Sequence, residues 1–195
     1  MTSQLAQGEL PGGGLACEDV LPLRWQTVPG RPEEGVLLRV NEGNEVLMRF
    51  LVTLDDHQNR LAEDLSDVAL ELSRIESKVN LLLELVSQVL RQEIGMPEPR
   101  PVRFSGGGLR WPETDETPVP GQMLELALYL YPAYPRPLQL FGEVTAVERG
   151  DEEDGAWVTV GFVGLSASVR DVLEKIVFRR HRRSVAQRRQ DRDEG

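Results

Sequence analysis

The sequence predicts an α+β protein: a small antiparallel β-barrel, a long coiled-coil helix inserted before it, and a C-terminal helix. Three observations carry this. Residues 44 to 93 contain neither proline nor glycine and repeat their apolar side chains in an alternating four-three spacing, which is a heptad seam. Residues 102 to 165 hold four short alternating or apolar runs, parted by turns rich in Pro, Gly and Asp, as small all-β units do. A last apolar stripe follows Ser166 at helical spacing.

At the N-terminus, residues 1 to 16 are Gly-rich and polar and are expected to form a disordered tail. Residues 17 to 40 form an N-terminal strand segment expected to pack on the barrel. Pro22 inside "CEDVLPLRWQTV" suits an edge strand better than a central one.

The oligomerisation helix is expected over 41 to 95. Its seam runs through Leu51, Leu54, Leu61, Leu65, Val68, Leu72, Ile75, Val79, Leu82 and Val86, with Leu47 before it and Val89 after it; Gln58 alone interrupts it. So strict a heptad implies a supercoil, and fifty residues at 1.5 Å each make a rod roughly 75 Å long. Leu at a opposite Val68 or Ile75 at d disfavours a parallel dimer and favours trimers or tetramers. Ala62, Ala69, Leu83, Leu85 and Leu90 widen the stripe, so more than one neighbouring helix is needed to cover it.

"GMPEPRP" stops that helix. The barrel and its closing helix are expected over 96 to 178. The strands are "VRFSGGGLRW" (102–111), "QMLELALYLY" (122–131), "LQLFGEVTAVE" (138–148) and "AWVTVGFVGL" (156–165). Ser166 or Ser168 caps the final helix, whose inner face is Val169, Val172, Leu173, Ile176 and Val177. Residues 179 to 195, beginning "RRHRRSVAQRR", are expected as a basic, partly disordered tail.

Charge and composition limit the function. Net charge is −10, so nucleic acid is not the expected partner. The arginine-rich tail keeps open a nucleic-acid or acidic-partner role. A single cysteine, Cys17, fits a reducing compartment. The polar start has no basic or apolar segment, so no signal peptide is expected, and no apolar run approaches the ~20 residues that span a bilayer. A cytoplasmic location is the expectation. His57 and His181 stand apart from any cysteine or acidic set with metal spacing, so no metal site is expected. No nucleophile, base and orienting group can be assembled, so no enzyme is expected.

The order "FSGGGLRW", "PGQMLELALYL", "LFGEVTAVE", "AWVTVGFVGLS" and a closing helix resembles the PilZ domain, a bacterial six-stranded barrel family known as the cyclic di-GMP receptor. The preceding "CEDVLPLRW" and heptad helix look like its atypical, tetramer-forming branch, in which a helix bundle joins four barrels. The resemblance implies a homotetramer, a signalling or motility protein as partner, and cyclic di-GMP as a possible ligand. The family's Asp/Asn-x-Ser-x-x-Gly motif falls on Arg103, Phe104, Ser105, Gly106, Gly107 and Gly108: serine and last glycine match, while Arg103 replaces an acceptor with a pure donor. Its Arg-x-x-x-Arg motif is missing from the expected place, where Arg100 and Arg103 have the wrong spacing. The ligand candidates are therefore Arg100, Arg103, Ser105 and Gly108. "SGGG" has two physical uses, to offer backbone amides to an anion or to turn the chain where side chains clash.

Overall fold

The computed structural model describes residues 9–60, 74, 75, 77–79, 81, 82, 85–89, 95–131, 134, 136–150 and 155–193. Strand β1 (Cys17–Val28) comes first and is followed by helix α1 (Glu34–Arg60). Five strands follow: β2 (Pro99–Phe104), β3 (Gly108–Glu113), β4 (Met123–Leu128), β5 (Leu138–Arg149) and β6 (Ala156–Val163). Helix α2 (Ala167–Asp193) ends the described chain. The six strands close into a barrel in the order β1-β2-β3-β6-β5-β4.

β1 is a full stave of this barrel and not an edge strand. Its first half pairs with β2, from Cys17↔Phe104 to Pro22↔Pro99, and its second half pairs with β4, from Leu23↔Leu128 to Val28↔Met123. Pro22 is tolerated because it stands where one partner hands over to the other. Its missing N–H faces another proline, and its carbonyl accepts from the Tyr129 amide at 3.0 Å. Leu23, Val102, Phe104, Leu109, Trp111, Leu124, Leu126, Leu140, Val158 and Val160 fill the interior, each at most 2% exposed.

The helix begins at Glu34, ahead of the expected residue 41, so the segment 17–40 divides into a strand and a first helical stretch. Gly35 and Gly43 hid this start, since glycine weakens a helical signal. α1 is fastened to the barrel by two asparagines about one turn apart. Asn41 donates to the Gly164 carbonyl at 2.8 Å and accepts from the Ser166 amide at 2.9 Å. Asn44, 2% exposed, donates to the Gln139 carbonyl at 2.6 Å and accepts from its amide at 3.1 Å. Both clasp backbone as a neighbouring strand would.

Leu51 departs from the seam prediction. With Leu47 and Met48 it is buried in its own chain's core, at 1–3% exposure. Barrel packing claims the first apolar turns of the helix before any second chain can. Three such side chains contribute roughly 6 kcal/mol together. Leu54 lies in α1, but its side chain is outside the described set; Leu61, Leu65, Val68 and Leu72 lie outside the described residues. Ile75, Val79, Leu82 and Val86 are helical and exposed.

Ser166 caps α2, its Oγ accepting from the Val169 amide at 3.2 Å. Val169, Leu173, Ile176 and Val177 are buried on the barrel and Val172 packs beside them. The expected tail over 179–195 is helical through Asp193. Arg180 pins its first turn by donating to Asp19 and to the Leu130 carbonyl, with the Tyr131 ring 5.3 Å away. Arg, Gln and Ala are good helix formers and carry the helix onward. At the other end, the expected tail over 1–16 is corrected for 9–16, where Leu10 is buried.

Replacing Asn44 with Ala leaves both backbone groups of Gln139 without their partner. We expect a loss of about 3 kcal/mol in urea unfolding, with the barrel's circular dichroism unchanged at zero denaturant.

Candidate functional site at the glycine loop

Strands β2 and β3 are joined by a loop that Ser105 organises. Its amide donates to the Gly108 carbonyl at 2.9 Å, and its Oγ accepts from the amides of Gly107 at 3.1 Å and Gly108 at 3.2 Å. The Gly107 carbonyl accepts from the Phe162 amide of β6 at 2.9 Å. Ser105 and all three glycines are buried.

Each glycine has a separate reason. A Cβ on Gly106 would lie 2.5 Å from Cγ of Glu174 on α2, a side chain that can swing aside. One on Gly107 would collide with the Pro11 carbonyl and lie 3.1 Å from Cα of Gly12. One on Gly108 would lie 2.6 Å from the Val160 carbonyl and 3.0 Å from the Pro11 ring. The stretch "SGGG" is therefore a turn crowded by backbone. As folded it does not fit a phosphate, because the serine hydroxyl holds two of the amides and Pro11 covers the loop.

The four candidate ligand residues are not gathered into one site. Arg100 turns to Glu113, whose Oε2 accepts from Arg100 at 2.8 Å, from Trp25 Nε1 at 2.6 Å and from Trp111 Nε1 at 3.3 Å. Arg103 lies on β2 opposite Glu18 and Arg110. Ser105 and Gly108 serve the turn. The Arg100–Glu113 node was not legible in the sequence, because nothing in "RWPETDET" separates Glu113 from its solvated neighbours.

Burial pushes the Glu113 carboxyl upward. The Trp25 indole, the Arg100 guanidinium and the Trp111 indole more than reverse this and hold it below the ordinary 4.5.

Beside Gly106 lies a groove of about 570 Å³. Gly12, Gly13, Gly14 and Leu15 form one wall; Asp171, Glu174, Lys175, Phe178 and Arg179 of α2 form the other. Phe178 is 54% exposed. Among the described residues no cluster of metal-ligating side chains occurs.

The atypical PilZ domain family, described as a cyclic di-GMP receptor, matches residues 48–190. The chain belongs to this family. A pathogenic protein from Xanthomonas campestris, a tetrameric PilZ domain self-assembled via an unusual helical bundle, is similar at 26% identity and a TM-score of 0.69. The likeness covers 91% of this chain and 93% of that one. The Bacillus subtilis inhibitor of motility is similar over 43% of this chain and 41% of its own, at 17% identity and a TM-score of 0.37, too distant to carry an argument. No curated protein matches. The PilZ match starts at residue 48, so neither β1 nor the segment over the loop falls inside it.

A carboxylate held low in the fold stabilises above its unfolded value and loses that contribution as pH falls through the folded one. Glu113→Gln is therefore expected to cost about 2 kcal/mol at neutral pH. The gap to the parent protein closes as unfolding is measured at successively lower pH below 4.5.

Proposed function

We propose that this PilZ protein is a non-enzymatic, cytoplasmic signalling scaffold in the cyclic di-GMP system. Four copies join through the heptad helix and present their barrels to a signalling or motility protein. One observation carries the assembly: Ile75, Val79, Leu82 and Val86 are each between 46% and 61% exposed on a single chain. Leu81, Leu85 and Val89 extend the same apolar surface. Water does not tolerate such a continuous stripe on a stable monomer, and identical copies offer a matching one. The preference of the seam for trimers or tetramers agrees with the bundle named for the Xanthomonas protein.

Among the described residues no helix is long and apolar enough to cross a membrane. Arg100 and Ser105 are engaged in holding the barrel together. This supports signalling through partner proteins, without cyclic di-GMP at this loop.

Light scattering on the purified full chain is expected to give four subunits. The double substitution Leu82→Asp, Val86→Asp is expected to reduce the mass to one. A monomeric parent protein would end the proposal.

Calorimetric titration of the tetramer with cyclic di-GMP is expected to give no saturable heat. Saturable binding abolished by Ser105→Ala would restore the direct-receptor reading, in which Arg100, Arg103, Ser105 and Gly108 hold the ligand.

A further inference from the structure

Three glycines, Gly107 of the loop, Gly108 at the start of β3 and Gly161 of β6, form a floor on the outside of the barrel. Gly108 and Gly161 are register partners, so they stand side by side. Pro11 sits on this floor. Its carbonyl and Gly12 Cα would meet a Cβ on Gly107, its ring would meet one on Gly108, and its Cβ would lie 3.3 Å from one on Gly161.

The occupant has its own local geometry. Pro11 and Gly12 form a turn, with Gly12 at φ +87°, the left-handed value that a Pro-Gly turn places on its glycine. Leu10 is buried at 8% exposure and Pro11 is half-buried, while Gly12, Gly13, Gly14 and Leu15 are exposed. Among the described residues, no backbone hydrogen bond ties residues 9–16 to the barrel. Packing alone holds this segment in place, whereas each stave of the barrel is held by ladder bonds. A segment with few buried contacts and no ladder belongs to the low-stability end of a fold.

We propose that Gly107, Gly108 and Gly161 form a binding seat for a proline–glycine turn, and that residues 10–14 occupy it in cis as a detachable strap. Seated, the strap covers the glycine loop and forms one wall of the groove against α2. Released, it uncovers Gly107, Gly108 and Gly161 and opens the groove beside Lys175, Phe178 and Arg179. The inference rests on contacts within one chain and does not depend on the number of subunits.

The test uses the full chain with Glu9→Cys carrying a nitroxide label just before Leu10. The native thiol of Cys17 does not compete, since it is 4% exposed and burial pushes it up to about 12. With the strap seated, the electron paramagnetic spectrum should be that of an immobilised label. Gly107→Ala is a wedge: the three atoms nearest its added methyl all belong to Pro11 and Gly12, and the spectrum should collapse to the narrow lines of fast terminus motion.

Pro11→Gly removes the seated ring without adding an atom to the barrel, so it gives the same test if the wedge variant does not fold. Gly35→Ala, a helix position with open space around it, should leave the spectrum as it was. Thermal melts of both strap variants should keep the cooperative barrel transition. A label already mobile in the parent protein overturns the proposal. So does one that stays immobilised in folded Gly107→Ala and Pro11→Gly.

Discussion

The barrel closes only because β1 has two partners. Its first six residues complete β2 and its last six complete β4, so removing this strand would open two adjacent staves at once. A closed sheet has no exposed edge and no slack. The long helical insertion must therefore leave the barrel after Val28 and return to it at Pro99. Asn41 and Asn44 make that departure rigid, because they bind the backbone beside β6 and in β5 with geometry that side-chain packing alone does not impose.

In the proposed assembly, one apolar stripe serves two neighbours along its length. Near its root, Leu47, Met48 and Leu51 belong to the barrel core. Farther on, among the described residues, seven large apolar side chains from Ile75 to Val89 are about half exposed. Covering them would contribute on the order of 10 kcal/mol per chain at the usual transfer values. That is comparable with the 4–15 kcal/mol estimated for losing the freedom of a separate molecule. A helix joined to three others shares those contacts on several sides, which favours a bundle over a two-stranded pairing for so wide a stripe.

Much of this was legible in the sequence, and the failures have physical causes. Alternation and turn chemistry located β4, β5 and β6 and the single run 102–111 that the glycine turn divides into β2 and β3, and Ser166 marked the start of α2, because these signals are local. The role of Leu51 was not legible, since a heptad position looks the same whether it faces a second chain or a barrel. The helix start was hidden by Gly35 and Gly43. Asn41 and Asn44 read as ordinary polar positions, because only the fold places strand backbone opposite them. Pro22 was misjudged as an edge residue for a related reason: the rule that excludes proline from central strands assumes one partner along the whole strand.

The glycine loop shows why motif matching alone misleads. A serine followed by three glycines satisfies half of a nucleotide-binding pattern, yet Gly107 and Gly108 are demanded by crowding from backbone. Glu174 approaches Gly106, the Pro11 carbonyl approaches Gly107, and the Val160 carbonyl approaches Gly108. A phosphate site needs amide hydrogens pointing at open space; here Ser105 Oγ accepts two of them. The hydroxyl that would help hold a ligand instead finishes the turn. The small residues record what already lies against them, and the neighbour against Gly107 is the chain's own N-terminal segment.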